Sequence, residues 1–297
     1  MLTIGVLFCD NDFQYLENLT GLIQERVQLP YELILFDNRN DCSTDISFLN
    51  DYKVLNTGNG NQHQVEGRRQ IIKEASGDYI WFIDADDEPL EIDSSFKDLL
   101  DLNYDLYSFN YKKDCNPEIC DVYKEEQLFT ANEETGNLCY KEAFGLLVNV
   151  LWNKWIKTSV LKEVVESIPE GTHISASEDL MLVIATLKHS KTELRSPLFI
   201  YKNNSMHGSS GYDDYSNNIE KYKRCIFGIN EATDLICSLL TETEQTLLDL
   251  NEIRIQDCVF FGDKIARTAD EETRKQMFEI LTNTFDKDLI KETWKQH

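Results

Sequence analysis

Short apolar runs alternate with helical patterns through the first 90 residues, and this alternation constrains the fold more than any other feature. Continuous apolar runs predict strands covered on both faces, and apolar residues at helical spacing predict the connecting helices. The predicted strands are Thr3–Phe8, Leu33–Phe36, Lys53–Leu55 and Tyr79–Ile83, and the predicted helices are Phe13–Val27 and Val65–Ala75, the second stopped by Gly77 as a C-terminal cap. Repeated βα units imply a doubly wound α/β sheet, which binds ligands beyond the carboxyl ends of its strands.

The remaining two thirds of the chain give a mixed pattern followed by a helical one. Predicted strands cover Tyr104–Tyr111 and Leu198–Tyr201, and predicted helices cover Lys141–Val150, Thr158–Glu166 and Asp179–Lys188. From about Tyr212 onward the sequence is charged, amphipathic and helical. We therefore predict one domain over residues 1–211, with halves at 1–90 and 91–211, and a helical C-terminal region over residues 212–297.

Polar residues follow the predicted strands at the edge where a ligand would bind. They are Asp10, Asn11, Asp37, Asn38, Asp84, Asp86 and Asp87. Alternation along an extended segment brings Asp84 and Asp86 to the same side, and hard carboxylate oxygens of this kind suit Mg²⁺ or Mn²⁺. A solvated acidic turn is the alternative explanation for the stretch YIWFIDADDE.

Charge and hydropathy narrow the classes of partner. The chain has 29 lysines and arginines against 53 aspartates and glutamates, a formal net charge of -24. This field repels nucleic acid, and it also repels a phosphorylated ligand unless a metal or local basic groups intervene. No run is long and apolar enough to predict a membrane span, and the first residues do not resemble an export signal. We therefore expect a cytoplasmic protein with reduced cysteines, and a location at the inner face of the cell membrane stays open.

The stretch EGRRQIIKEASGDYIWFIDADDE resembles the central segment of family 2 glycosyltransferases of the GT-A fold. The residues that fall on the family pattern are Arg68, Ala75, Gly77, Tyr79, Ile80, Asp84, Asp86 and Asp87. Four further pieces resemble the family in the same order: NDFQYL, LILFDNRNDCSTD, LWNKWIKTSVL and SEDLMLVIATL. The resemblance covers about the first 210 residues. It implies a GT-A type doubly wound mixed sheet flanked by helices, with a helical C-terminal extension.

The resemblance also implies an activity and its partners. We expect an inverting, metal-dependent transfer of a sugar from a nucleotide-diphosphate sugar, with UDP as the expected nucleotide, to a hydroxyl acceptor. The acceptor would be a glycan or a lipid-linked sugar in polysaccharide, glycolipid or glycoprotein synthesis. A peripheral membrane contact, a partner enzyme and a homo-oligomer stay open, whereas nucleic acid is not expected as a partner.

Residue roles follow from the same resemblance. The expected nucleotide-binding residues are Cys9, Asn11, Asp37, Asn38, Arg68 and Asp84, where Asp37 would accept a hydrogen bond from a base such as uracil. Asp86 and His207 would bind Mn²⁺ or Mg²⁺. For Arg68, a surface salt bridge with Glu66 or Glu74 is the alternative to binding diphosphate.

The expected catalytic base is Asp179, with Glu178 as the alternative, and it would take the proton from the acceptor hydroxyl. The segment SEDL is also typical of helix capping. Trp152, Asn153 and Lys154 would bind the acceptor sugar, although core packing explains the tryptophan equally well.

Departures from the family pattern concentrate near the expected base and ribose pocket. Asn38 replaces an aspartate, Arg69 stands where asparagine is common, Ile71 replaces a glycine, and Asp10 stands where an aromatic residue often precedes Asn11. Two rival functions stay open: a sugar-phosphate nucleotidyltransferase, whose Gly-rich phosphate loop is missing after the first strand, and a non-catalytic sugar-binding or scaffold module.

Overall fold

The computed structural model describes residues 1–40, 46–56, 64–113, 122–145, 149–174, 176–204, 219–250, 252–253 and 270–284. Its strands are β1 (Leu2–Phe8), β2 (Tyr31–Asp37), β3 (Lys53–Asn56), β4 (Tyr79–Asp84), β5 (Glu88–Pro89), β6 (Leu106–Lys113), β7 (Gln127–Thr130), β8 (Lys154–Lys157) and β9 (Thr192–Asn203). The helices are α1 (Leu16–Arg26), α2 (Gln64–Glu74), α3 (Phe96–Asp101), α4 (Lys141–Phe144), α5 (Thr158–Ser167), α6 (Glu178–His189), α7 (Ile219–Leu239), α8 (Glu242–Leu248) and α9 (Glu271–Thr284). Two 3-10 turns cover Phe13–Tyr15 and Ser47–Leu49.

The strands form one mixed sheet in the order β3-β2-β1-β4-β8-β6-β9-β5, with β7 added to β9. The first four strands in this order are parallel, and β8 is antiparallel to both of its neighbours. The register pairs Phe8 with Asp37 and Leu7 with Asp84. The carboxyl ends of β1, β2 and β4 therefore meet at one edge of the sheet, as the βα pattern predicts.

Helices cover both faces of this sheet, so the predicted mixed α/β fold is confirmed. Ile80 and Phe82 of β4 belong to one core cluster, which also contains side chains of α2, α5 and α6. Trp81 and Ile83 belong to the other cluster, with side chains of α1 and α3. This alternation is the period-two pattern of a strand buried on both sides.

Two predicted elements have different lengths in the structure. The predicted helix over Lys141–Val150 is only one turn, α4, and it ends before Gly145, whose backbone is extended. The predicted strand Leu198–Tyr201 is the second half of the longer β9. Its first half contains a buried glutamate and a buried arginine, Glu193 and Arg195, which pair with each other and so hide the strand from a search for apolar runs.

Gly77 does not cap α2, so that prediction is wrong. The helix already ends at Glu74, and Gly77 is not among the described glycines in the left-handed region. A glycine is needed here because a Cβ atom would lie 2.6 Å from the backbone nitrogen of Thr3. The Gly77 N–H donates to Thr3 Oγ1 at 3.0 Å, and its carbonyl accepts from Thr158 Oγ1 at 2.6 Å. The residue joins β1 to the start of α5 by close approach.

The C-terminal helices pack onto the sheet domain. Ala232 and Ile236 of α7 and Leu248 of α8 lie in the same core cluster as α5 and α6. Across the described ranges, none of the helices combines the length and the apolar character that crossing a bilayer requires.

Glu244 of α8 fixes this region to the domain through a buried carboxylate. It accepts from Asn137 Nδ2 at 2.6 Å and from Lys188 Nζ at 2.9 Å, and it forms a capping box with Thr241. Burial alone would raise the pKa of Glu244, but the hydrogen bonds from Lys188, Thr241 and Asn137 outweigh it and lower the pKa to about 2.

Replacing Glu244 with Gln is expected to lower the free energy of unfolding by about 3 kcal/mol at neutral pH, because the lowered pKa stabilises the ionised folded state. This contribution is present above the ordinary pKa of 4.5 and is lost as pH falls toward about 2. Urea unfolding as a function of pH measures it. The exposed Glu242 on the same helix is the matched control, and Glu242→Gln should change little. Equal losses in the two variants would contradict the anchoring role.

Candidate functional site

The acidic turn after β4 begins where the buried strand ends. Asp84 and Asp86 are half-buried, whereas Ala85 between them and Asp87 after them are buried. β4 ends at Asp84, and residues 85–87 form a turn in which the Asp87 N–H donates to Asp84 O at 3.1 Å, so the extended segment from which a shared side was predicted for Asp84 and Asp86 stops at Asp84. The two carboxylates therefore sit at the edge of the sheet where a ligand of this fold would bind.

Asp87 holds the turn in place. Its carboxylate accepts from Tyr201 Oη at 2.6 Å, from Asn203 Nδ2 at 2.9 Å and from the backbone N–H of Asn204 at 2.6 Å. The same Tyr201 oxygen accepts from the backbone N–H of Asp84 at 3.1 Å. The sequence predicts Asp87 at the sheet edge without a specific role, and in the structure Asp87 links the turn to the end of β9.

The stretch DADDE places four acidic residues close together, and the pKa of Asp84 shows which neighbouring charges act on this cluster. Burial raises the pKa of Asp84 well above its usual range, and the charges of Asp87 and Asp179 raise it further. The positive charge of Arg68 acts in the opposite direction and lowers it. A cation is thus already present among these carboxylates, and it is a side chain of the protein.

Arg68 projects from α2 and joins the acidic turn to the start of α6. Its NH1 donates to Glu178 Oε1 at 3.2 Å, and its NH2 lies 2.9 Å from Asp179 Oδ1. Arg68 is buried, with a relative exposure of 6%. These carboxylates raise the pKa of Arg68 against the opposing effect of burial, so it is cationic throughout the physiological range.

The alternative of a surface salt bridge for Arg68 is wrong. Glu66 pairs with Arg69 at 3.1 Å, and Glu74 pairs with Lys53 at 2.5 Å. In addition, the Nε atom of Arg68 is buried and has no hydrogen-bond partner in the described part of the protein. An unsatisfied buried donor is costly, and an anionic ligand would satisfy this one.

Helix capping, the alternative explanation for the segment SEDL, does not account for the structure at the start of α6. Ser177 precedes the helix in the left-handed region, at φ 61°, and its side chain makes no capping hydrogen bond. Such a backbone conformation is strained for a residue with a side chain and is typical of functional sites. Burial raises the pKa of Glu178, and Asp179 raises it further, while Arg68 lowers it. Glu178 and Asp179 are therefore brought together with Asp84 around one arginine.

The predicted nucleotide-binding residues at the ends of β1 and β2 form hydrogen bonds within their loops and between the two strand ends. The Asp37 carboxylate accepts from both the backbone and the side chain of Arg39. The backbone N–H of Asn38 donates to Phe8 O at 2.9 Å. Asp37 and Asn38 thus lie at the end of β2, beside β1.

The loop after β1 contributes the other two candidates. Cys9 Sγ donates to Asp12 Oδ2 at 2.9 Å, and burial, followed by this hydrogen bond, raises the pKa of the Cys9 thiol to about 11. Asn11 is exposed. Asp10 accepts from Asn40 through both the backbone N–H and the side-chain amide, so the loops after β1 and β2 are joined.

The predicted acceptor residues do not form a surface. Trp152 is buried and stacks on Tyr201 with ring centroids 4.6 Å apart. Asn153 is fully buried and donates to Phe109 O at 2.9 Å, and Lys154 Nζ donates to Val150 O and to Asn153 Oδ1, both at 2.7 Å. The expectation that these side chains bind acceptor hydroxyls needs correction, because their polar groups are bound inside the protein.

Lys154 belongs to a buried charged group that sequence reasoning missed. Burial lowers the pKa of Lys154 to about 7, against the opposing charges of Glu193 and Asp179. Glu193 accepts from Ser108 Oγ at 2.7 Å and pairs with Arg195, which also donates to the carbonyl of Gly145 at 2.7 Å. The group lies behind the site and fixes β6, β8 and β9 to one another. The Trp-Asn-Lys spacing alone could not distinguish this structural role from a binding role.

Arg69 also lies elsewhere than expected. Its guanidinium donates to the carbonyls of Val165, Ile168 and Pro169 and thereby caps the C-terminus of α5. Arg69 was predicted, as a departure from the family pattern, to lie near the base and ribose pocket, and this prediction is wrong.

The donor set for a divalent cation can be tested against the residues that the structure describes. Among them, no group of three or more histidine, cysteine, aspartate or glutamate side chains is arranged to hold a metal ion. His207 lies outside the described residues. The hard oxygens of Asp84 and Asp86 nevertheless suit Mg²⁺ or Mn²⁺, since Mg²⁺ is commonly held by one or two carboxylates together with substrate phosphates and water. The residues fit such an ion bound together with a ligand.

Comparisons with known proteins identify a family profile and a shared fold. Residues 9–102 match the profile of glycosyl transferase family 2. No curated protein matches the chain. The structure of S. aureus TarS 1-349 in complex with UDP-GlcNAc has a TM-score of 0.57 and 15% identity, over 99% of this chain and 91% of that one. The complex of the same TarS fragment with UDP gives a TM-score of 0.55, again at 15% identity and with the same coverage. A longer S. aureus TarS structure has a TM-score of 0.53 and 16% identity, over 97% of this chain and 54% of that one. At this level of identity the structures establish the shared GT-A fold.

Proposed function

We propose that the protein transfers a sugar from a nucleotide-diphosphate sugar to a hydroxyl acceptor with inversion, and the match of residues 9–102 to the profile of glycosyl transferase family 2 supports this proposal. The observation that carries the proposal is the set of side chains around Arg68. One buried cation joins the acidic turn after β4 to the two carboxylates that begin α6. A UDP-sugar is the expected donor, since two of the similar TarS structures contain UDP-GlcNAc or UDP.

Arg68 is the residue that we assign to the donor diphosphate. The protein as a whole is strongly acidic, so an anionic donor needs a local positive group. The Nε–H of Arg68 has no hydrogen-bond partner among the described residues and would donate to a phosphate oxygen. Charge-assisted hydrogen bonds from arginine to phosphate are strong.

Asp84 and Asp86 are the residues that would hold a divalent metal, Mn²⁺ or Mg²⁺. Such an ion, when bound, supplies charge stabilisation for the departing diphosphate. The raised pKa of Asp84 reflects burial and its carboxylate neighbours, a condition that an added positive charge would relieve.

Asp179 is the proposed general base, with Glu178 beside it. The acceptor oxygen attacks the anomeric carbon from the face opposite the diphosphate, and the bond from that carbon to the diphosphate oxygen breaks. The electron pair leaves on the diphosphate, and the hydroxyl proton passes to the Asp179 carboxylate. The ion pair with Arg68 holds this carboxylate in position before the proton arrives.

A thermal-shift panel tests the proposal. UDP-sugars and GDP-sugars, each with and without Mn²⁺, should raise Tm by several degrees for the true donor, and the rise should be larger with the metal. The Asp86→Asn variant should fold normally and lose the metal-dependent part of the rise. Release of UDP or GDP in the presence of acceptor glycans then measures turnover.

The rival functions predict other results in the same panel. A non-catalytic module would show no metal-linked stabilisation by nucleotide. A sugar-phosphate nucleotidyltransferase would be stabilised by nucleoside triphosphates and would release pyrophosphate. The nature of the acceptor, the cytoplasmic location, a membrane or partner-enzyme contact and the oligomeric state stay predictions.

A further inference from the structure

A slot with aromatic walls lies at the carboxyl ends of β1 and β2, and the side chain of Arg39 fills it. The Arg39 guanidinium carbon lies 4.6 Å from the ring centre of Phe13 and 5.7 Å from that of Phe8. Phe48 extends the wall, with its ring centre 5.9 Å from that of Phe13, and is 38% exposed. We call this pocket, bounded by Phe8, Phe13, Phe48 and the Asp37 carboxylate, the Arg39 slot.

Asp37 forms the polar end of the slot, and the Arg39 side chain donates hydrogen bonds to both of its carboxylate oxygens. Arg39 Nε donates to Asp37 Oδ1 at 2.9 Å and NH2 donates to Oδ2 at 2.7 Å, which is a two-pronged ion pair. The backbone N–H of Arg39 adds a third hydrogen bond to Oδ1 at 3.0 Å. The side chains of Arg39 and Asp37 are 2% and 0% exposed. A ligand can reach the Asp37 carboxylate only if the guanidinium moves.

The slot has the chemistry of a nucleobase site. A guanidinium is planar, stacks on an aromatic ring and donates in-plane N–H bonds to a carboxylate. A nucleobase is also planar, also stacks on aromatic rings, and in uracil or guanine also offers in-plane N–H donors. The position agrees, because the carboxyl ends of adjacent parallel strands are the place where such sheets bind their ligands. Asp10 and Asn40, which join the loops after β1 and β2, lie at the same edge.

We propose that Arg39 is an internal competitor for the nucleobase and, by this competition, a residue that determines donor specificity. The inference rests on the proposed function and goes beyond it. A base and the Arg39 guanidinium cannot both occupy the ring face of Phe13 and the oxygens of Asp37. The donor therefore binds only to the fraction of molecules in which Arg39 has left the slot, and its apparent affinity is reduced by that fraction. A nucleotide whose base cannot donate a hydrogen bond to Asp37 does not replace the hydrogen bonds that are lost when Arg39 leaves the slot.

Titration calorimetry with UDP and GDP in the presence of Mn²⁺ tests the proposal. Uracil offers Asp37 one N–H and guanine offers two, so the two probes cover both patterns. In the Arg39→Ala variant, Kd for at least one of them should fall about tenfold or more relative to wild type, as expected if the filled slot outnumbers the open slot by about ten to one. Ethylguanidinium, which can refill the vacated slot, should weaken nucleotide binding in the variant and leave wild type unchanged.

Matched variants separate the competitor role from other effects. Lys53→Ala removes one positive charge from an exposed ion pair and should leave Kd unchanged. Arg39→Gln keeps a planar group with one pair of N–H donors, so it should tighten nucleotide binding less than Arg39→Ala does. The alanine variant leaves Asp37 buried and unpaired and can fail to fold; in that case the Kd of the glutamine variant tests the competitor role.

If wild type binds the nucleotides and the Arg39 variants bind both of them with unchanged or lower affinity, the role of Arg39 is overturned and the proposed function is not. Absence of binding by wild type and by every variant overturns the proposed function, and the role of Arg39 falls with it.

Discussion

Replacing Asp179 with Asn is expected to reduce kcat for sugar transfer by about a hundredfold to ten-thousandfold, the range typical of a lost general base. The amide has nearly the same shape but cannot take the proton from the acceptor hydroxyl. Donor binding should persist, because Arg68, Asp84 and Asp86 are untouched and the amide oxygen can still face the Arg68 guanidinium. Release of UDP or GDP measures kcat, and calorimetry with the donor measures Kd, so the loss should fall on kcat alone.

Glu178→Gln is the matched control for this prediction. Glu178 precedes Asp179 on α6, is half-buried to a similar degree, and also pairs with Arg68. If Asp179 is the base, the Glu178 variant keeps most of its kcat. A wild-type rate in Asp179→Asn together with a collapse in Glu178→Gln would transfer the role to Glu178. Equal moderate losses in both would mean that the two carboxylates act only by positioning Arg68.

The sequence was sufficient to predict the sheet edge and its acidic turn, because both depend on local periodicity. Strands covered on both faces are continuous apolar runs, and the polar residues that follow them mark the carboxyl ends. The β9 strand was predicted only in part for the same reason. Its buried Glu193–Arg195 pair interrupts the apolar run, although each charge is satisfied by the other inside the protein.

The partners of the charged site residues could not be predicted, because they lie far apart in the chain or depend on side-chain direction. Arg68 meets Glu178 across 110 positions in the sequence. Arg39 meets Asp37 only two positions away, yet nothing in the spacing distinguishes a guanidinium that turns back over Phe13 from one that extends into solvent. A glycine such as Gly77 can likewise serve a cap or a close approach, and only the packing of Thr3 against it decides.

Removing Arg68 is expected to have the largest effect on stability. The Arg68→Met variant keeps an unbranched apolar side chain beside Phe82 but leaves Asp84, Glu178 and Asp179 close together without their cation. Breaking a buried ion pair on one side costs about 3–5 kcal/mol, since the remaining charges stay buried. Thermal and urea unfolding measure this loss. Arg26→Met, which removes the partly exposed pair with Glu88, is the control and should cost less.

The pH dependence of this loss distinguishes a charge effect from a packing effect. The folded-state pKa values of Asp84 and Glu178 are already raised, and Arg68 opposes the rise in both, so its removal raises them further. A carboxyl group whose pKa is raised on folding binds more protons in the folded state, and its destabilising effect grows as pH rises through that window. The penalty in Arg68→Met should therefore be smaller at about pH 5.5 than at about pH 8, where these carboxyl groups ionise. A penalty of the same size at both pH values would assign the loss to packing around Phe82 and would remove the electrostatic role of Arg68 from the site.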